Sequence, residues 1–205
     1  MDLSQPFPAM FPTVDSAVLS VLAETTKPRT GREIARLAEK SQSATQRVLD
    51  RLVEHGLVAQ EAAGRSRIYT LNREHLAADP ISALVNLRSL LFSRLKWNLG
   101  LWRPGPFHAS VFGSAARGDG DIESDIDIFL VRRAAVEEDD PAWRGAVNVL
   151  GDSVFEWTGN HAGIAEFGQQ ELKRLRHDQP AIVSSIKADA IDLFGRPVHE
   201  VLGRA

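Results

Sequence analysis

The stretch Gly113-Ser114-Ala115-Ala116-Arg117-Gly118-Asp119-Gly120-Asp121-Ile122-Glu123-Ser124-Asp125-Ile126-Asp127-Ile128 limits what this chain can fold into more than any other part of it. An apolar strand, His108-Ala109-Ser110-Val111-Phe112, runs into Gly113-Ser114, and a second apolar strand begins around Ile126 and continues through Val131. Side chains alternate faces along a strand, so Asp125 and Asp127 point the same way. Two adjacent carboxylates repel, and a sheet cannot hold them against its core without a cation. Hard oxygen donors converging from one strand suit Mg²⁺, or Mn²⁺ in its place, which keeps some waters and takes phosphate oxygens as well. Gly113 allows a backbone turn to come close to a ligand, and Ser114 adds a hydroxyl at the same place. A phosphate seat beside a Mg²⁺ seat is what phosphoryl or nucleotidyl transfer requires.

The spacing resembles the signature of minimal nucleotidyltransferases of the polymerase-β-like superfamily: Gly-Ser, ten residues, then Asp-x-Asp. Gly113, Ser114, Asp125 and Asp127 fill its four places, and Arg117-Gly118 and Ser124 match its usual surroundings. The resemblance implies Asp125 and Asp127 as catalytic metal ligands, with Gly113, Ser114, Arg117 and Ser124 binding nucleotide. It also implies a third carboxylate from a neighbouring strand. The only acid in the expected third strand, His161 to Phe167, is Glu166. Glu166 is thus the expected third catalytic and metal-binding residue, although the family usually has Asp there. The alternative is an edge or helix-start residue.

Composition narrows the remaining choices. The 205 residues suffice for one large or two small domains. Without cysteine there is no disulfide, thiol nucleophile or zinc-thiolate site, which fits a reducing cytoplasm. The start shows no signal-peptide pattern. The long apolar stretch from Ile81 to Trp102 is interrupted by Asn86, Arg88, Arg94, Lys96 and Asn98, so a membrane span is not expected. The net charge of −3 is unevenly spread: Lys40 to Arg73 is mildly basic, and residues 118 to 140 hold nine acids against Arg132 and Arg133.

The N-terminal third reads as three helices and a hairpin. Val14, Ala17, Val18, Val21 and Leu22 have helical spacing. Thr30 with Glu33 has capping-box spacing ahead of Ile34, Ala35 and Leu37. A third helix from about Ser43 to His55 is stopped by Gly56, and two strands, Leu57 to Gln60 and Arg67 to Leu71, turn at Ala63-Gly64. The run resembles a winged helix-turn-helix. In that family the third helix enters the DNA major groove, which makes Ser41, Gln42, Ser43, Thr45, Gln46 and Arg47 candidates there and Arg65 and Arg67 candidates on the wing. A packing or dimerisation platform is the other reading, because residues 1–80 carry ten bases and ten acids.

After Asp79-Pro80, a helix from Ile81 to about Gly100 is expected, then the two strands of the motif, a helix from Pro141 to about Trp157, the third strand, a helix over Gln169 to His177, and a last helix from Ala181 to Leu193. The expected architecture is therefore an N-terminal arm (1–12), a winged helix-turn-helix (13–79) and a polymerase-β-like α/β nucleotidyltransferase domain (80–205). The whole resembles bacterial proteins that fuse these two modules. The resemblance implies an enzyme that moves an NMP from an NTP, ATP foremost, to an acceptor hydroxyl on a small molecule or a protein. Small members of the family resemble antitoxins that nucleotidylate a toxin. The alternative is a DNA-binding, dimeric regulator whose transferase domain only senses nucleotide. An antibiotic-modifying transferase is a third reading.

Overall fold

The computed structural model describes residues 1–178 and 180–203. Residues 5–87 form one compact unit, and residues from 88 onward form the other together with residues 1–4. The division at Leu87/Arg88 comes later than Asp79-Pro80.

The first unit opens with a short helix, α1 (Pro6–Met10), whose Phe7 is buried; Leu3, just before it, is buried in the other unit, so residues 1–12 are not a free arm. Then follow α2 (Val14–Ala23), β1 (Arg29–Thr30), α3 (Gly31–Leu37), α4 (Gln42–Glu54), β2 (Val58–Ala63), β3 (Ser66–Leu71) and α5 (Ala78–Val85). The helices α2, α3 and α4 each start where a hydroxyl accepts a backbone N–H: Thr13 from Ser16, Thr30 from Glu33 at 3.3 Å, Ser41 from Ala44 at 3.3 Å. Glu33 returns the bond to the Thr30 N–H at 2.8 Å, closing the capping box. Gly56, at φ +73°, ends α4 in the left-handed conformation. The sheet order is β1-β3-β2, all antiparallel. Val18, Leu22, Ile34, Leu49, Leu52 and Tyr69 fill the core. Helix, strand, two helices and a hairpin in that order make a winged helix-turn-helix. The short β1 was not expected, since two residues carry no alternation to read.

The second unit comprises α6 (Leu87–Leu101), β4 (His108–Phe112), α7 (Gly113–Arg117), β5 (Ile126–Arg132), α8 (Pro141–Thr158), β6 (Ala162–Gly168), α9 (Leu172–Asp178), α10 (Ala181–Asp189), β7 (Ile191–Gly195) and α11 (Val198–Leu202). The sheet runs β6-β5-β4-β7, with β5/β6 parallel and the other pairs antiparallel. β5 is buried on both faces. Ile126, Ile128 and Leu130 meet Leu91, Leu95 and Leu99 of α6 and Val147, Leu150 and Val154 of α8. Phe129 and Val131 meet Leu172, Val183, Ile186 and Val201 on the opposite face. The result is an α/β domain with helices on both sides of a mixed sheet.

Two expected elements are corrected. The helix expected from Ile81 to Gly100 is two, α5 and α6, because the Asn86 side-chain amide turns back to the Ser82 carbonyl at 2.7 Å and ends the first. The helix expected through Leu193 stops at Asp189. Ala190 is extended, and Ile191 and Leu193 alternate with Asp192 as β7, which covers the free edge of β4. No glycine or proline marks that change of period, so the apolar run reads as one helix. No helix among the described residues is long and apolar enough to cross a membrane.

Candidate active site

The β4–β5 pairing sets Phe112 opposite Asp127, so the turn that follows Phe112 begins beside that carboxylate. Gly113 has φ +68°, and a Cβ there would lie 2.5 Å from Asp127 Oδ2. Only glycine fits both the backbone and the space. On the other side, β6 sets Gly163 level with Asp127, where a Cβ would lie 2.8 Å from Oδ1. The Asp127 carboxylate is thus lodged between two glycine backbones, half-buried, on the sheet face that also carries Phe129 and Val131. Asp125 is exposed at the mouth of β5. Burial pushes the Asp127 carboxyl above its usual range, the charges of Asp125 and then Asp189 add to the rise, and Arg117 opposes it. Such a pair gains from a cation placed between its members.

The Gly113 turn is braced from distant parts of the chain. Asp189, at the end of α10, accepts the Gly113 N–H at 3.1 Å and Arg117 Nη1–H at 2.6 Å. Arg117 also donates from Nε to Asp119 at 3.0 Å, and these two bonds raise its pKa further. Arg88 donates to the Ala115 carbonyl at 2.7 Å and to that of Ala116, holding the end of α7. Asn160 is buried, and its amide donates to the Ser124 carbonyl at 2.8 Å and the Asp121 carbonyl at 3.2 Å, which fixes the loop leading into Asp125.

The expected residues divide accordingly. Gly113, Asp125, Asp127 and Arg117 come together, and Ser114 lies at the same turn. Ser124 folds into its own loop: its hydroxyl donates to Asp121 Oδ1 at 2.8 Å and accepts the Asp121 N–H at 3.0 Å. Glu166 is not brought to the site. It is level with Leu130, on the face opposite Asp127, and accepts bonds from Trp143 Nε1 at 2.8 Å, Arg144 at 2.7 Å and Arg132 at 3.2 Å. Strand parity decides this: Gly163 and Glu166 are an odd number of residues apart, so only one of them can share the face of Asp127. Among the described residues no three His, Asp or Glu side chains gather into a metal-holding group. Sequence reading missed Gly163, Asp189, Arg88 and Asn160. An isolated glycine inside a strand is a signal of close backbone approach that points to Gly163; the other three carry no local signal.

In the winged helix, Ser43, Arg47, Arg65 and Arg67 are exposed, and so are Ser41, the N-cap of α4, and Gln42. Thr45, expected at the DNA face, is fully buried in the core side of α4. Gln46 is half-buried and donates to Asp50 at 2.7 Å and to the Tyr69 hydroxyl at 3.0 Å. It lines a polar groove of about 480 Å³ with Arg32, Gln42 and Arg67.

Residues 99–197, which span β4 through β7, match the family model of the nucleotidyltransferase domain. This part of the chain is a nucleotidyltransferase domain. Ahead of it, residues 13–89 match a family of unknown function (DUF7342). No curated protein matches the sequence. Among solved structures, the chain is similar to a MarR family transcriptional regulator from Silicibacter pomeroyi DSS-3, with 24% identity and a TM-score of 0.34 over 46% of this chain and 67% of that one. It is also similar to a mutant of ZitR from Lactococcus lactis, with 20% identity and a TM-score of 0.31 over 45% of this chain and 63% of that one. The nucleotidyltransferase domain therefore owns the Gly113 turn, Asp125 and Asp127 at the start of β5, and the bracing from α10.

Proposed function

We propose that the protein is a Mg²⁺-dependent nucleotidyltransferase that moves an NMP from an NTP, ATP foremost, to an acceptor hydroxyl, with its winged helix directing it to DNA or to a protein partner. The observation that carries this reading is the Asp125–Asp127 pair set against the Gly113 turn, with the Arg117 guanidinium beside it. Two carboxylate oxygen donors with room for phosphate oxygens and water fit Mg²⁺ or Mn²⁺, and Asp125 and Asp127 would hold the ion. When bound, the ion neutralises phosphate charge and polarises the α-phosphorus. Gly113 and Ser114 would seat the triphosphate, and Arg117 would balance the charge that develops on departing pyrophosphate. The acceptor hydroxyl gives up its proton to solvent water as its oxygen bonds to the α-phosphorus, and the bond to the β-phosphate oxygen breaks so that pyrophosphate leaves. In the winged helix, Arg47 and Ser43 would face base edges and Arg65 and Arg67 the phosphates, while Gln46 is held inward by Asp50 and Tyr69.

A second reading, a DNA-binding regulator that senses nucleotide without turning it over, is favoured by one observation: Gly163 stands where β6 would supply a third carboxylate, and Glu166 is on the other face. Melting temperatures with each NTP, with and without Mg²⁺, test the site. A ligand at about 100 times its Kd adds roughly 2.7 kcal/mol. The reading expects a Mg²⁺-dependent rise that Asp125→Ala abolishes, and no rise with any NTP overturns it. Pyrophosphate release then separates the two readings, since a sensor binds without releasing any.

A further inference from the structure

We propose that Asp189 is the positioning residue of this site: a third acid, at the end of α10, that fixes the Gly113 turn and aims the Arg117 guanidinium at a nucleoside triphosphate's phosphates. This rests on the transferase reading above and extends it to a residue outside the signature.

Three observations carry it. The Asp189 side chain is only 12% exposed, and both of its oxygens are committed, Oδ1 to the Gly113 N–H at 3.1 Å and Oδ2 to Arg117 Nη1 at 2.6 Å. Its place follows from pairing: Ile191 is opposite Val111, so the antiparallel run of β7 against β4 brings Asp189 to the level of Gly113. The edge strand β7 is therefore what delivers the acid. Finally, Arg117 is 46% exposed yet held at two points, by Asp119 at Nε and by Asp189 at Nη1. Arginine has five N–H donors in a rigid fork, and two are used here, so the remaining three are presented in a fixed direction. A free arginine would have to be ordered at each binding event; one already clamped by two carboxylates loses less. Because both of its oxygens are engaged in this way, Asp189 acts through Gly113 and Arg117 and not as a group that touches the reacting atoms.

The test is a titration of the full chain with each of the four NTPs in MgCl₂, read by calorimetry, for the wild type, Asp189→Asn, Asp189→Ala, Arg117→Ala and the Arg117→Ala/Asp189→Asn pair. Asp189→Ala should weaken binding about tenfold, the scale of losing a supporting shell residue. Asp189→Asn should weaken it less, because its amide oxygen still accepts the Gly113 N–H. Added to Arg117→Ala, Asp189→Asn should cost little more, since the two side chains act as one unit. If Asp189→Ala does not fold, Asp189→Asn and the pair decide. Binding by Asp189→Asn that equals or exceeds the wild type overturns the proposal, because the acid would then compete with phosphate for the same donors. Losses that simply add in the pair also overturn it. A wild type that binds none of the four NTPs sinks the transferase reading, and this inference with it.

Discussion

In residues 5–87 the three helices α2, α3 and α4 each begin on a hydroxyl whose partner is three residues away: Thr13 with Ser16, Thr30 with Glu33, Ser41 with Ala44. In the nucleotidyltransferase domain the Gly113 turn takes its acceptor from Asp189, 76 positions along the chain. Glu166 draws Arg132 from 34 positions away. The helix caps of the first module are made by sequence neighbours, whereas the acid that holds the site turn of the second is brought to it by strand pairing. Mutation of a cap in the winged helix should therefore act locally and modestly, and mutation at the transferase site at long range and strongly.

The largest effect should separate the two carboxylate sets of the transferase domain. Asp125→Ala and Asp127→Ala should each lower NTP turnover by a factor on the order of a hundred or more, with the fold retained by circular dichroism. Glu166→Ala should leave NTP affinity unchanged and instead lower stability by about 3 kcal/mol in urea melts, because it takes from the buried Arg132 its nearer and more buried carboxylate and leaves only the exposed Glu138 at 3.6 Å. Turnover that survives in either aspartate variant, or is lost with Glu166, breaks the division between the two faces of the sheet.

A pH dependence sharpens the same contrast. His108 is fully buried, bonded to the Arg196 carbonyl at 2.6 Å and to the Ser110 hydroxyl at 2.9 Å, and burial lowers its pKa. In the unfolded chain it takes up a proton at its ordinary value, near 6.5, while the folded state resists until lower pH. Stability of the transferase domain should therefore fall as pH drops below about 6.5, and His108→Gln should flatten that slope. Asp127 has the opposite sign. Its raised pKa means that its ionised form opposes folding, and this cost appears as pH climbs from the acid range to neutrality. Asp127→Asn should raise the melting temperature of the ligand-free protein by a few degrees at pH 7 and by less in acid. A lower melting temperature at pH 7 would count against the lodged, uncompensated carboxylate.

The smallest effect belongs to the winged helix. Thr30→Ala removes the cap of α3 and should cost about 1 kcal/mol, seen as earlier proteolysis within residues 5–87, with NTP binding untouched. A loss several times larger would show that the Thr30 hydroxyl supports more of this module than the first turn of α3.

Much of the fold was legible because its signals are local. The capping box at Thr30 and Glu33, the glycine stop at Gly56, Pro141 opening α8 after Asp140, and the apolar run of β5 all come from residues within a turn or a pleat of one another. Thr45 shows where this fails even locally: its side chain falls on the inward arc of α4, and a polar residue read as outward is packed instead.

The two apolar strands, the glycine turn after the first and the pair Asp125 and Asp127 at the start of the second were all readable along the chain, because a turn glycine, a hydroxyl and alternation along a strand need nothing beyond neighbouring residues. The tertiary structure decided which acids join them. Register between β5 and β6 put Gly163 beside Asp127 and sent Glu166 to the opposite face, and pairing of β7 with β4 delivered Asp189. Register is a property of two strands at once, and a shift of one residue exchanges the faces. Neither strand alone carries that information.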